Sequence, residues 1–238
     1  MLALRPIYVL FLAGIPMTFV FGAMWLGHRA IASAQPQWRS KVEFLQWLSR
    51  QPRVTVTADD ARAPVVLVKF HDYQCRPCRQ TFLAYASILA KYESSTPSTL
   101  KVISKDFPLD PDCNPLITKP IHPLACRAAA AVRLARRNGK DRALEEWLYR
   151  NQEQLSRESI GRAARDVGGV TNFETLYPKE KIAMREDISL AKSLSVRGTP
   201  TFFLNGVQLM PVSPDLLEAA IDSELARIRR MSGATQGQ

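Results

Sequence analysis

The sequence Cys75-Arg76-Pro77-Cys78 places two cysteines three positions apart, between an apolar run of strand character at 65–70 and a helical pattern at 79–91. The first turn of a helix offers unpaired N–H groups and the positive end of the helix dipole, and both stabilise a thiolate. A cysteine at this position would therefore react at neutral pH. The same spacing occurs in half a zinc site, but a strand before it and a helix after it favour thiol–disulfide exchange.

The two residues between the cysteines predict the direction of the chemistry. Arg76 adds a permanent positive charge next to the Cys75 sulfur, and Pro77 stiffens the first helical turn. Stabilising the thiolate stabilises the reduced form, so the disulfide becomes a stronger oxidant. We therefore expect an oxidising protein. The alternative is that Arg76 is a solvated charge with a small effect.

The composition is that of one domain with appendages. The chain has 238 residues, 46% of them hydrophobic, and carries a formal net charge of +10. No nucleic-acid module accompanies the basic residues, so we expect no nucleic-acid partner; the charge either faces solvent or favours anionic lipid headgroups. The four cysteines form an even set, which suits an oxidising compartment.

The N-terminal segment contains an uncharged, mostly apolar run at 7–26 that is long enough to cross a bilayer as a helix. We expect residues 1–30 to be a single transmembrane anchor. The alternative is a cleaved signal peptide, because Ala32-Ser33-Ala34 has the form of a cleavage site. More basic residues follow the run than precede it, which by charge alone would keep the rest of the chain in the cytoplasm. We instead take the paired cysteines as the stronger indication, and they place the rest of the chain on the extracytoplasmic, periplasmic side.

Predicted elements divide the rest of the chain into three parts. Residues 31–52 would be a tether with an amphipathic helix at 37–50, 53–230 one domain of strands and helices, and 231–238 a disordered tail. The predicted strands cover 53–57, 65–70, 100–107, 201–204 and 207–210. The predicted helices cover 79–92, a region at about 123–194 with breaks at Asn138-Gly139, Gly168-Gly169 and Tyr177-Pro178, and 213–230. Asn205-Gly206, between the last two strands, is typical of a tight hairpin.

The order of these elements, together with HDYQCRPC at 71–78 and GTPTFFLNG at 198–206, resembles the DsbA-like branch of the thioredoxin superfamily over about 53–230. KDFPLDPDCN at 105–114 and HPLACRAA at 122–129 are similar to thioredoxin-like domains associated with vitamin K epoxide reductase homologues. The resemblance implies an α/β thioredoxin fold. It consists of a mixed sheet of four or five strands flanked by helices, with a helical domain inserted at about 110–195.

The resemblance also implies roles for individual residues. Cys75 would be the exposed nucleophile and Cys78 the resolving cysteine, and Thr199 and a cis Pro200 would face them across a peptide-binding groove. Members of this branch often carry Glu or Asp six residues before the nucleophile, where this chain has Lys69. A buried ammonium there would favour the thiolate, whereas one that reaches the surface would have no effect. No cofactor or metal is expected, because the exchange needs only the sulfurs.

The second cysteine pair, Cys113 and Cys126, lies outside the motif. We expect a structural disulfide that stabilises the domain by roughly 3 kcal/mol in the chain-entropy model. The alternatives are a second redox pair that exchanges electrons with the first and, with His122, a zinc site. His71 either touches the active site or ends the central strand at the surface, and we expect the latter.

Three functions are compatible with these patterns. The leading hypothesis is a membrane-tethered oxidoreductase that introduces disulfides into cysteine-containing client proteins. A quinone-linked membrane partner of the DsbB or vitamin K epoxide reductase type would reoxidise it. The second hypothesis is a reductase or disulfide isomerase kept reduced by another membrane protein. The third is a tethered peptide-binding or chaperone module with structural cysteines, which would keep its activity when Cys75 is replaced by alanine.

Overall fold

The computed structural model describes residues 38–56 and 63–235. The predicted anchor at 1–30 and the tether up to residue 37 lie outside these ranges, so the choice between an anchor and a signal peptide stays a prediction. Within the ranges, no helix is both long and apolar enough to cross a membrane.

Four strands of the described chain form one mixed sheet in the order β2-β1-β3-β4. The central strand β1 (Val65–His71) runs parallel to β2 (Leu100–Asp106) and antiparallel to β3 (Thr201–Leu204), which pairs antiparallel with β4 (Val207–Leu209). Most side chains of β1 are buried, because helices cover both faces of the sheet. The predicted mixed sheet is therefore present, with four strands.

The turn between β3 and β4 follows the hairpin prediction. Asn205 and Gly206 both have positive φ, +44° and +83°, as a tight two-residue hairpin turn requires. The Asn205 side-chain oxygen also accepts the backbone N–H of Val66 at 2.8 Å, so the turn is tied to the start of β1.

The strand predicted at 53–57 is wrong over 53–56, the part that the structure describes. These residues pair with no strand. The backbone N–H of Val54 donates to the carbonyl of Gly206, at 3.0 Å, and Arg53 forms an ion pair with Glu224 at 2.6 Å. Alternating valines were compatible with a strand, but these contacts attach the segment to the hairpin turn instead.

Three helices cover one face of the sheet: α1 (Lys41–Arg50), α2 (Arg76–Glu93) and α8 (Pro214–Thr235). Their shared core holds apolar side chains from all three helices and from the sheet, among them Phe44, Leu48, Leu67, Tyr85, Phe202, Leu217 and Ile221. Burying large aromatic and aliphatic side chains in this way is the main stabilising contribution to such a fold.

All three helices differ in their bounds from the predictions. Helix α2 begins at Arg76 and ends at Glu93, whereas 79–92 was predicted. Helix α1 begins at Lys41 rather than at 37, because the Ser40 side chain accepts the backbone N–H of Glu43 and caps the helix. Helix α8 continues to Thr235, so the expected disordered tail at 231–238 is helical over its first five residues; 236–238 lie outside the described ranges.

The helical insert follows β2 and returns the chain to β3. It contains α3 (Ala125–Arg136), α4 (Asp141–Arg150), a short 3-10 turn (Gln152–Gln154), α5 (Arg157–Asp166), α6 (Phe173–Ala183) and α7 (Arg185–Ser193). Helix α3 is the centre of the insert, since small alanine side chains let its neighbours pack closely around it. Helix α7 covers the second face of the sheet, where Ala191 joins a core with Phe70 and Phe203.

The break predicted at Tyr177-Pro178 is wrong, because α6 continues through Pro178. Proline removes one helical N–H donor but does not end a helix that tertiary contacts hold. Here the rings of Phe173 and Tyr177 both pack under the guanidinium of Arg127, at 5.1 and 5.0 Å from the ring centroids. These contacts attach the first turns of α6 to α3.

The insert is fixed to the sheet by a buried ion-pair network. Arg133 on α3 contacts Asp106 at the end of β2, at 3.1 Å, and Asp187 on α7, at 3.0 Å. Lys105 also reaches Asp187, at 3.0 Å. Paired charges of this kind are costly to break once buried, so these contacts hold the insert against the end of β2.

Candidate active site

Cys75 is the N-cap residue of α2, directly after the turn that follows β1. Its sulfur accepts the backbone N–H of Cys78 at 3.4 Å, and both cysteines are free thiols in this structure. A sulfur in this position lies at the positive end of the helix dipole, among N–H groups that lack helical partners. The local sequence thus builds the thiolate site that the motif predicted.

The surroundings of the two thiols shift their pKa values in opposite directions. A hydrogen bond with the Cys78 side chain, with smaller contributions from Thr199 and the Cys78 backbone N–H, lowers the pKa of Cys75 from 9.0 to about 7; burial and the Asp72 charge act against this. Burial, and then the neighbouring Cys75, raise the pKa of Cys78 far above its ordinary value. Cys75 is therefore the sulfur that ionises near neutral pH, and Cys78 stays protonated.

Cys75 is less accessible than expected. Only 3% of its surface is exposed, whereas an exposed nucleophile was predicted. The Cys75 thiol donates to the carbonyl oxygen of Thr199 at 3.2 Å, and the peptide bond from Thr199 to Pro200 is cis. The family resemblance implied that Thr199 and a cis Pro200 face the cysteines across a groove, but not that they bury the sulfur. The loop before β3, which packs against the sulfur from a position 124 residues away, could not be seen in the local pattern.

Arg76 and Pro77 occupy the first turn of α2. The Arg76 guanidinium is 76% exposed and pairs with Glu153 at 3.2 Å. An exposed, paired charge is screened by water, so this geometry favours the alternative in which Arg76 has a small effect on the sulfur. Pro77 is well placed there, because the N–H that it lacks would have no helical partner.

The Lys69 side chain is mostly buried, and its ammonium forms an ion pair. Its ammonium lies 2.7 Å from a carboxylate oxygen of Glu145 on α4, and both side chains are about 15% exposed. The positive charge that the sequence predicted near the cysteines is therefore balanced by a carboxylate from the insert. Sequence reasoning missed Glu145, because nothing local links two residues that are 76 positions apart.

His71 ends β1, but it is 3% exposed and does not lie at the surface as expected. Its Nδ1 is 2.9 Å from the hydroxyl of Tyr149 on α4. Burial, and then the charge of Lys69, hold the pKa of His71 well below its usual range, so the ring is neutral. The insert covers this end of the strand, which explains why a polar residue there is buried.

A cleft of about 350 Å³ opens beside Cys78, between α2 and α4. The ion pair of Lys69 and Glu145 lies in its wall. The lining also includes Cys78, the aromatic rings of Phe82 and Tyr149, and Pro200 of the cis peptide bond. The cleft brings four of the predicted site positions into one region: the resolving cysteine, Lys69 and Pro200 line it, and Cys75 caps the adjoining helix.

Cys113 and Cys126 form a disulfide. Sulfurs that are bonded to each other offer no thiolate to zinc, so the zinc alternative finds no ligand set here. In the described parts of the chain, no group of three or more His, Cys, Asp or Glu side chains is placed to hold a metal. The disulfide closes the loop between β2 and α3, next to the turn that carries Cys75.

Two further polar residues contact this turn and were not singled out from the sequence. The buried Asp72 carboxylate lies 2.8 Å from His122 Nδ1, and the buried Gln152 amide donates to the carbonyl oxygens of Tyr73 and Cys75. For Asp72 the sequence indicates only a position in a turn. Gln152 carries no sequence signal, since its role depends on how the insert folds back.

Comparison with known proteins agrees with this architecture. The family model described as Thioredoxin matches residues 54–223, more than two thirds of the chain. The chain is similar in structure to Wolbachia pipientis alpha-DsbA1 (TM-score 0.57, 14% identity, covering 72% of this chain and 92% of that one). It is also similar to a periplasmic thioredoxin-like protein from Salmonella enterica serovar Typhimurium (TM-score 0.53, 24% identity, 74% and 90% covered).

A curated relative has a different overall organisation. The Na(+)/H(+) antiporter NhaA 3 of Salinispora tropica is 29% identical over 171 residues, which are 70% of this chain but 24% of the antiporter. The chain thus spans about a quarter of the length of that relative. Because the family match covers well over half of the chain, the chain belongs to the family described as Thioredoxin.

Proposed function

We propose that the chain is an extracytoplasmic, membrane-tethered oxidase that introduces disulfides into client proteins through Cys75 and Cys78. The observation that carries the proposal is the difference between the two sulfurs. Cys75 ionises near pH 7 at a helix N-terminus, and Cys78 stays a protonated, buried thiol. A stabilised thiolate favours the reduced form of the enzyme, and this makes its disulfide oxidising.

The exchange proceeds in two steps that move two electrons. A client thiolate attacks the Cys75 sulfur of the enzyme disulfide, which forms a mixed disulfide and releases Cys78 as a thiolate that takes up a proton. A second client thiolate then attacks the client sulfur of the mixed disulfide. Cys75 leaves as a thiolate, the client gains a disulfide, and the enzyme is left as a dithiol.

The remaining site residues have supporting roles in this proposal. Pro200 and Thr199 line the groove against which an extended client segment lies, since the Thr199 carbonyl already contacts Cys75. Arg76 and Pro77 set the first turn of α2, and Lys69 contributes a balanced charge beside Cys78. A quinone-linked membrane protein of the DsbB or vitamin K epoxide reductase type would return the dithiol to the disulfide.

Two observations support the compartment. The Cys113–Cys126 disulfide suits an oxidising environment, and one structural neighbour is described as periplasmic. The uncharged run at 7–26 supplies the tether. Carbonate extraction of membranes tests this part: the full chain should stay in the membrane pellet, and a variant without residues 1–37 should be released. A full chain that is extracted by carbonate would contradict the tether.

The direction of exchange is tested by titrating the Cys75–Cys78 couple against glutathione. We expect a reduction potential closer to the DsbA value of about −120 mV than to the thioredoxin value of about −270 mV. A value near that of thioredoxin would favour a reductase. Separately, the Cys78→Ala variant should accumulate disulfide-linked client adducts in cells, while Cys75→Ala should not. If neither variant forms adducts, the chain is not an exchange enzyme.

A further inference from the structure

The turn before the active site contains a buried carboxylate. Asp72 has a fully buried side chain, and its two oxygens accept the backbone N–H groups of Gln74, at 2.7 Å, and Leu109, at 2.8 Å. The backbone carbonyl of the same residue accepts the N–H of Cys75 at 3.2 Å. A negative charge held this close to Cys75 opposes the thiolate, and the Asp72 charge does act to raise the pKa of that sulfur.

His122 is the cationic partner of this carboxylate. Its Nδ1 lies 2.8 Å from an Asp72 oxygen, and its side chain is 20% exposed. The hydrogen bond with Asp72, followed by the charges of Asp72 and Cys75, raises the pKa of His122 against the effect of burial. Two groups that interact in this way influence each other equally, so an imidazolium at residue 122 favours ionisation of Cys75.

The second disulfide controls where His122 lies. The histidine belongs to the loop that Cys113 and Cys126 close. Its backbone N–H donates to the Leu109 carbonyl at 3.1 Å. Two residues further on, the backbone N–H of Leu124 donates to the Gln74 side chain at 2.6 Å, so the loop contacts the turn at a second point.

We propose that His122, held against Asp72 by the loop that the Cys113–Cys126 disulfide closes, is the positioning residue that offsets the Asp72 charge and lets Cys75 ionise. The inference rests on the proposed role of Cys75 as the reactive sulfur. It gives the second disulfide an electrostatic role in which no electron passes between the two cysteine pairs. Reduction of the second disulfide would release His122 and leave the Asp72 charge unbalanced.

One more carboxyl group belongs to this neighbourhood. Asp110 is in the segment that leads into the loop of His122, and burial, followed by the nearby charges of Asp112 and Asp72, raises its pKa. Among the described residues, the charges that act on the histidine are those of Asp72 and Cys75 from the turn, and Asp110 acts on the same Asp72. Lys119 provides a matched control, because its removal takes away one positive charge from an exposed side chain of the same loop.

The test is the pH profile of Cys75 alkylation by iodoacetamide in the full chain, with the Cys75–Cys78 pair reduced and the second disulfide intact. For His122→Gln we expect the midpoint to rise by about one pH unit, which lowers the rate at pH 7 about fivefold. Cys113→Ala/Cys126→Ala should shift the profile in the same direction. Lys119→Gln should leave it unchanged.

A double variant distinguishes an effect of the His122 charge from an effect of His122 on the structure of its loop. His122→Gln/Asp72→Asn removes both charges, so the midpoint should return close to that of the unmodified protein. A double variant that stays as shifted as His122→Gln would overturn the proposal, and so would an unshifted His122→Gln profile. If the unmodified protein itself titrates near pH 9, the proposed function fails instead, and the two failures are thereby distinguished.

A measurement on the unmodified protein tests the proposal even if the variants fail to fold. The pKa of His122 can be followed by NMR in the reduced and the oxidised protein, because the chain has only three histidines. The thiolate exists only in the reduced form, so we expect a higher His122 pKa in that form. Equal values in the two forms would also overturn the proposal.

Discussion

The side-chain amide of Gln152 lies 3.1 Å from the carbonyl oxygen of Cys75, and it donates at the same time to the carbonyl of Tyr73, at 2.7 Å. Gln152 belongs to the 3-10 turn of the helical insert, whereas both carbonyls belong to the active-site turn. One buried amide therefore joins the insert to the turn that presents the reactive sulfur.

Gln152→Glu should weaken this connection. A carboxylate of the same shape cannot donate a hydrogen bond, and it would face two carbonyl oxygens that repel it. We expect a loss of about 3 kcal/mol in the free energy of unfolding, measured by urea titration of the reduced protein. Gln154→Glu makes the same change at an exposed position of the same turn and should cost less than about 0.5 kcal/mol. Equal losses of unfolding free energy in the two variants would show that the hydrogen bonds of the Gln152 amide do not stabilise the fold.

The ion pair of Lys69 and Glu145 should behave as a mostly buried pair. Lys69→Met leaves the carboxylate in the cleft without a counter-charge, and we expect it to cost about 3 kcal/mol of unfolding free energy. Lys69→Met/Glu145→Gln removes both charges and should recover most of the loss. Urea unfolding of the single and double variants measures the coupling.

The control for this prediction lies on the same helix as Glu145. Glu146 pairs with Arg150 at 2.7 Å, but both side chains are about half exposed or more. Glu146→Gln should therefore cost less than about 0.5 kcal/mol. If both single variants, Lys69→Met and Glu146→Gln, cost the same, the burial of the first pair has no energetic consequence.

The stability of the reduced protein should depend on pH in a defined direction. The pKa of Cys75 is about 7 in the folded protein and 9.0 without the fold, so between these values the unfolded chain binds more protons. The free energy of unfolding should rise from pH 7 to pH 9, and this contribution should be lost as pH falls through 7. Above pH 9 the trend should reverse, because folding keeps Cys78 protonated.

The oxidised protein is the control for this pH dependence, since disulfide sulfurs do not titrate. Thermal unfolding of both redox forms between pH 6 and pH 10 gives the difference directly. A difference that stays constant from pH 7 to pH 9 would contradict a lowered pKa for Cys75.

The second disulfide should contribute stability through the unfolded state. Cys113 and Cys126 are 13 positions apart, and closing a loop of that length restricts the unfolded chain by about 3 kcal/mol in the chain-entropy model. Cys113→Ala/Cys126→Ala should lower the free energy of unfolding by about this amount, and the slope against urea should rise as the unfolded chain expands. An unchanged midpoint would mean that the covalent link adds nothing to the contacts of the loop.

The sequence alone predicted the elements that local patterns specify. The strand before the cysteines, the helix after them and the Asn205-Gly206 turn each follow from residues within one element. The strand at 53–57 and the break at Pro178 were wrong for the opposite reason. In both places, contacts with distant parts of the chain decide the backbone: the hairpin turn in one, and the Arg127 side chain in the other.

The sequence pointed to the two sulfurs of the candidate site but not to the side chains that surround them. The motif identified Cys75 and Cys78, and the family resemblance identified Thr199 and Pro200. The residues that surround these positions come from elsewhere: Glu145 and Gln152 from the insert, and His122 from the loop after β2. Which of many polar residues in a helical insert turns inward depends on its packing, and a single sequence does not contain that information in any local pattern.

For the oxidase proposed above, the near-complete burial of Cys75 has a consequence for which client proteins can be oxidised. A rigid, compact globule cannot bring its own sulfur against an atom that the Thr199 carbonyl and the insert enclose, whereas a flexible, extended segment can slide between them. Selection among clients would thus begin with shape, before any bond is exchanged. We expect newly exported, still unfolded chains to be oxidised readily, and proteins that have already reached their final form to be passed over.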